Sequence, residues 1–197
     1  MHAPIAPDPP SKAALLLSFN QQLLEQSLTL VAAHQADGRL RYGDFIGAHL
    51  RHLIEHYEAL LIGARSGVVD YDQRAREREL ETNAGLARSR LLSLQAQLAC
   101  WHPATLDRPV RVAGKGGMAG EFAFSVASSI GRELAYLASH AVHHFALLKA
   151  HCQQHGIAVD ADFGKAPGTV AHERASRAVA HAHTHEEPLC SAAISAT

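Results

Sequence analysis

The chain has 197 residues, a length that suits one domain, and a single domain of this size buries roughly 70% of its unfolded surface without staples. Its 18 Lys plus Arg against 19 Asp plus Glu give a net charge of −1, which excludes the broad basic footprint of a nucleic-acid binder. The unusual quantity is histidine, at 15 residues, and a functional reading has to explain it.

Cys100, Cys152 and Cys190 lie far apart and form no C-x-x-C spacing, so no disulfide framework, thiolate zinc knot or c-type haem is expected. A reducing cytoplasm is the expected setting. No apolar run approaches the ~20 residues of a membrane span, and the N-terminus carries Pro4, Pro7, Pro9 and Pro10 in place of a signal sequence. Neither membrane nor nucleic acid is an expected partner; a small-molecule substrate is.

Proline placement divides the rest. None occurs from Ser11 to His102 or from Val110 to Ala166, so both stretches are free of the strongest helix breaker. After a Pro-rich, disordered segment 1–10, the first helix is expected from Ser11, its N-cap, to Gln35, with Leu16, Phe19, Leu23 and Leu30 as its stripe. The second runs from about Asp44 to Arg65, where Ile46, Leu50, Leu53, Tyr57 and Leu60 repeat at helical spacing. The third begins near Thr82, carries Ala84, Ala87, Leu91, Leu94, Leu98 and Trp101, and stops before Pro103. Arg108 to Val112 and Glu121 to Val126 predict a small hairpin around a glycine-rich turn. The fourth helix begins near Ser129, carries Ile130, Leu134, Leu137, Ala141, Leu148 and Cys152, and ends at Gly156. The fold class is therefore all-α, a four-helix bundle over 11–169 with a hairpin-like excursion between helices three and four. A disordered His- and Ala-rich tail is expected over 170–197, where His181, His183 and His185 are read as solvated.

Eight histidines fall on two helices: His49, His52 and His56 on the second, and His140, His143, His144, His151 and His155 on the fourth. Positions four apart on a helix differ by about 40° in azimuth and about 6 Å in height, so His140 and His144 can aim at one atom. A histidine of the second helix would be the third ligand. Three imidazoles with an open fourth position are the donor set of a catalytic metal site, and imidazole suits several divalent transition metals.

Asp44-Phe-Ile-Gly-Ala-His-Leu-Arg-His-Leu-Ile-Glu-His56, then Ser139-His-Ala-Val-His-His-Phe145 and Asp162-Phe-Gly-Lys-Ala-Pro-Gly-Thr169, resemble the DinB/YfiT-like metal-dependent bundle proteins. The resemblance covers about Ser11 to Thr169. It implies a left-handed, up-down-down-up bundle, a homodimer, and one divalent metal (Zn, Ni or Fe) on His52, His140 and His144. It places Glu55 at the family's acidic position, where it would orient a ligating imidazole. It also implies metal-assisted S-transfer from a low-molecular-weight thiol, or a related hydrolytic step. Where many relatives follow the last histidine with R-G-Q, this chain has Phe145-Ala146-Leu147, and His143 is wedged into the pair.

His56 and His143 are the candidate catalytic residues for proton transfer, because the imidazole pKa sits near neutral pH. Arg74 and Arg76, on the linker after the second helix, are candidates to hold a substrate carboxylate. A second class of reading is a non-catalytic metal-binding or stress-response protein that binds a partner. A remote third is a zinc peptidase, since His52-Leu-Ile-Glu-His56 matches H-x-x-E-H, with Glu133 as the distant carboxylate.

Overall fold

The computed structural model describes residues 9–36 and 40–184. Most of the Pro-rich start and the tail from His185 onward, with the expectations made for them, lie outside the described residues.

Four long helices carry the core: α1 Lys12–Ala36, α2 Ile46–Ser66, α4 Ala84–Ala99 and α5 Ile130–Gln154, with a single turn, α3 Glu79–Thr82, leading into α4. α1 packs on α4 and α5, and α2 packs on the same two, so the four close a ring with α1 diagonal to α2. The stripes expected on the second and fourth helices are the buried ones: Ile46, Leu50, Leu53, Tyr57 and Leu60 face Ile130, Leu134, Leu137, Ala141 and Leu148 within one cluster. On α1 the buried face is broader than its leucine stripe, taking in Leu17, Asn20, Leu24, Ser27, Val31 and His34. Its polar members are tolerated because they are bonded. Asn20 donates to the Leu16 carbonyl and accepts from the Tyr57 hydroxyl at 2.8 Å, and Ser27 donates to the Leu23 carbonyl.

Two helix starts are set by local chemistry. Asn83 accepts from the backbone N–H of Leu86, and Ser129 from that of Arg132, which satisfies amides that would otherwise lack partners. Gly47 lets α2 approach α3. A Cβ built there would lie 1.9 Å from the Glu81 carbonyl oxygen, an impossible contact with a backbone atom. Gly47→Ala is therefore expected to destabilise the protein by about 1–3 kcal/mol, the usual cost of overpacking, read as a lower midpoint in urea unfolding.

The all-α expectation needs one correction. The hairpin is a three-stranded sheet in the order β1-β2-β3, in which β1 Val68–Asp70 runs parallel to β2 Pro109–Gly116, and β2 runs antiparallel to β3 Phe122–Ser129. Both hairpin strands are longer than expected because the glycines read as a turn lie inside β2. Gly114 opposes Phe124 and Gly116 opposes Phe122, and the two aromatic rings fold over the positions where side chains are missing.

The expectation of disorder from residue 170 also needs correcting. Pro167–Thr184 form a helix, α6, in place of a disordered segment. Its alanine content favours helix, and its first turns are tied to the preceding loop by Lys165 to Glu173 at 2.6 Å and Arg174 to Asp162 at 3.0 Å. That loop is anchored by Phe163, buried and stacked on Phe145 with ring centroids 4.9 Å apart. Among the described residues, no helix is long and apolar enough to cross a membrane.

Candidate metal centre

α2 and α5 lie side by side, and each presents histidines at the edge of its buried stripe. His52, His140 and His144 each offer a ring nitrogen, and the three nitrogens lie within 4.8 Å of one another. His52 Nε2 is 2.9 Å from His140 Nε2. Ring centroids are 5.0 Å apart for His52 and His140, 4.9 Å for His52 and His144, and 4.6 Å for His140 and His144. All three are half-buried. Three imidazoles converging without a carboxylate or thiolate suit a borderline divalent ion such as zinc, nickel or iron, and the cluster leaves room in the coordination sphere for a further ligand.

The surroundings favour neutral rings with lone pairs available. Burial and the neighbouring imidazoles push His52 and His144 down to about 3 from an ordinary value near 6.5, and burial with the charges of His143 and Arg74 lowers His140 as well. Since these folded-state values lie below the unfolded one, the unfolded chain binds more protons once the pH drops under about 6.5. Metal-stripped protein is thus expected to lose stability progressively from pH 6.5 down to about 3. Thermal melts across that range check it, and a flat profile would contradict neutral, clustered imidazoles.

His49 also belongs to this constellation. Its Nδ1 is 2.9 Å from Nδ1 of His144, so one nitrogen donates to the other. With the proton on His144, that contact fixes the ring and leaves Nε2 as the ligating atom, the usual way a metal-binding imidazole is oriented. The signal available beforehand was position: His49, His52 and His56 share one stripe of α2.

His56 is differently placed. Its Nδ1–H donates to the His52 carbonyl oxygen at 2.6 Å, and its Nε2 accepts from the Arg74 guanidinium at 3.1 Å. Both nitrogens are engaged, and burial pushes its pKa down to about 4 despite the hydrogen bond to the His52 carbonyl, the nearby guanidinium adding to the effect. Here the ring positions Arg74 and carries no free site for a metal or for a travelling proton. His143 is exposed, with its ring centroid 5.6 Å from that of His144.

Glu55 is buried, but it turns to the linker: Oε1 accepts the backbone N–H of Glu77 at 2.7 Å, and Oε2 is 3.8 Å from the Arg74 Nε. It therefore orients an imidazole only through Arg74, which in turn holds His56. Arg74 Nη1 also donates to the Tyr71 carbonyl, while its buried Nε has no hydrogen-bond partner. Arg76 is exposed and has a positive φ of 52°, with Nη1 3.4 Å from the Arg74 carbonyl. Glu133 is fully buried and accepts from the Tyr71 hydroxyl at 2.9 Å, the Ser128 hydroxyl and Arg132 at 2.7 Å. Neither it nor His56 is arranged as the H-x-x-E-H peptidase motif requires. His56→Ala is accordingly expected to retain metal, and elemental analysis of the variant separates the two ligand sets.

Beside the centre, between the sheet and α5, lies a cavity of about 410 Å³ lined by Tyr71, Phe124, Val126, Arg132, Glu133 and Tyr136. Tyr136 borders both the cavity and one of the three imidazoles, and Tyr71 links the cavity to His56. Tyr136 stacks on His140 at 5.7 Å and Tyr71 on His56 at 5.3 Å, while the two tyrosines are 5.5 Å apart. Burial and the carboxylate of Glu133 raise the Tyr71 pKa, which keeps its hydroxyl a donor.

Fold and site together define a mostly helical protein with a small sheet and a three-histidine cluster able to hold a metal ion. The chain is similar to FK506-binding protein 5 of Rhizopus delemar, at 33% identity over 105 residues, which are 53% of this chain and 27% of that protein. The aligned segment thus spans little more than a quarter of that relative's length. No family model matches the chain, and no solved structure matches it.

Proposed function

We propose that this chain is a DinB-like protein whose four long helices form a left-handed, up-down-down-up bundle and which binds one divalent metal through His52, His140 and His144. The observation that carries the reading is the convergence of these three imidazoles from two helices, at the positions that match the family's motifs. The ring of four helices and the long α2-to-α4 connection are consistent with that topology. A homodimer, a cytoplasmic setting and a small-molecule substrate belong to the same proposal.

The reaction class is metal-assisted S-transfer or hydrolysis. A divalent ion at this centre would supply Lewis acidity, lowering the pKa of a thiol or water at neutral pH. The chain's own part is to hold three neutral imidazoles, to fix His144 through His49, and to offer an adjoining cavity large enough for a small organic substrate. Tyr71 and Tyr136, which line that cavity, would present an aromatic wall to the substrate. Proton transfer falls to His143, which is exposed and adjacent, in preference to His56, whose nitrogens are both bonded.

A panel of low-molecular-weight thiols and electrophiles, with zinc-, nickel- and iron-loaded protein, tests the reading. Turnover is expected with at least one loaded form and is expected to vanish in His144→Ala. Stoichiometric metal with no turnover across the panel would favour the second reading, a metal-binding protein without catalysis.

A further inference from the structure

The histidines outside the centre continue its two ladders. On α5, His140 and His144 are followed by His151, and His155 caps the helix's C-terminus. Facing them from α2 are His52 and His49, and one turn before His49 stands Phe45, which stacks on His151 with ring centroids 4.7 Å apart and leans on His49 at 5.1 Å. From the last turn of α1 comes His34, only 4% exposed.

His34 is oriented as a ligand would be. Its Nδ1–H donates to the Leu30 carbonyl oxygen at 2.9 Å, and because a carbonyl can only accept, Nε2 is left with a lone pair. That nitrogen points at Nε2 of His151, 3.3 Å away. Two bonds of the usual zinc–imidazole length meeting over this separation enclose an angle of about 107°, close to tetrahedral. His155, exposed and four residues on, has its ring centroid 4.5 Å from that of His151, which repeats the spacing of His140 and His144. The solvent-facing side leaves positions for water.

We propose that His34, His151 and His155 form a second metal site, distinct from the three-histidine centre and selective for borderline divalent transition ions such as zinc. Carbonyl-oriented, buried His34 is its anchor and His151 the facing ligand; His155, whose ring is in contact with His151 but does not complete a preformed three-nitrogen cluster, would close on the ion from the surface by a change of rotamer. Neutral imidazole donors alone make it a site for zinc, nickel or copper and a poor one for magnesium or calcium. The competing arrangement is a plain hydrogen bond from His151 Nε2–H to His34 Nε2, which gives the same distance without a metal. None of these residues is a ligand of the first centre, so the second site stands or falls separately.

The test uses the full chain, with zinc alone as the probe. Zinc is titrated against a chromophoric competitor, and the imidazole resonances of His34 and His151 are followed by NMR, assigned through His34→Gln and His151→Gln. In the background His52→Ala/His140→Ala/His144→Ala, one zinc per chain is expected to shift both resonances together, and His151→Gln is expected to abolish that equivalent. His155→Gln, at an exposed position, should weaken it by roughly tenfold, which corresponds to about 1.4 kcal/mol. Histidines beyond α5 add the same background to every variant, so only the differences are read. Unmoved His34 and His151 resonances at saturating zinc, or zinc uptake unchanged by His151→Gln, overturn the proposal and leave the hydrogen bond as the whole role of the pair. Thermal melts confirm that His151→Gln is folded. If the triple replacement costs no zinc, the first-centre reading fails while the His34 and His151 shifts still decide the second.

Discussion

Replacing His52, His140 and His144 together with alanine is expected to remove one equivalent of zinc per chain relative to the parent protein, measured by elemental analysis after identical loading and washing. The three nitrogens already lie within 4.8 Å of one another, so binding requires small side-chain adjustments and little ordering of the backbone. A ligand present at roughly a thousandfold its Kd stabilises the folded state by about 4 kcal/mol, which for a chain of this size raises Tm by about 8–16 °C. The zinc-dependent rise of the parent should therefore shrink by that amount in the triple variant. Single replacements leave two of three ligands, and His144→Ala should weaken the site most, because it also strands the His49 nitrogen that bonds it. Unchanged zinc content and an unchanged Tm response in the triple variant would remove the metal centre from the account of this protein.

Glu133→Ala is expected to cost about 3 kcal/mol of stability, read from urea unfolding with an unchanged slope. The carboxylate is fully buried at the start of α5, and it accepts from the Tyr71 hydroxyl, the Ser128 hydroxyl and Arg132. Removing it leaves two partly buried hydroxyls without their acceptor, at about 1–3 kcal/mol for each buried group that goes unpaired. The ion pair with Arg132 adds little, since that guanidinium is largely exposed. Glu133 joins three elements at one point: the linker through Tyr71, β3 through Ser128, and its own helix. Glu133→Gln keeps the shape and one acceptor, and should recover a large part of the loss. A variant with parental stability would mean that the hydroxyls find water instead.

Where apolar residues recur every three or four positions, the elements were legible. The second and fourth helices bury the residues that periodicity selects, because a helix seated among neighbours presents one stripe to the core and the rest to solvent. The first helix was read less well. Its buried face includes Asn20, Ser27 and His34, polar side chains whose burial depends on partners that no periodicity reveals. The sheet was partly legible as a hairpin, but β1 was not, since three residues pairing in parallel with a strand far along the chain leave no local signal. The helix over 167–184 is not legible as an apolar stripe, because the segment has little apolar content and rests on alanine propensity and ion pairs to the loop.

The candidate site divides in the same way. Histidine count, their concentration on two helices and the four-residue spacing of His140 and His144 are properties of the chain alone, since helix geometry fixes the relation between positions four apart. Which histidine of α2 meets that pair depends on how α2 and α5 are packed against each other, and only the folded molecule brings His52 to it and binds His49 to His144. Packing likewise decides the fates of His56, Arg74 and Glu55. Each is a plausible actor by residue type, but the linker brings Arg74 onto His56 and the Glu77 amide onto Glu55, so the α2 side chains and the linker engage one another. Ligand type can be read from a sequence because it is chemistry; ligand partnership is a matter of distances between elements far apart in the chain, and tertiary packing alone sets those.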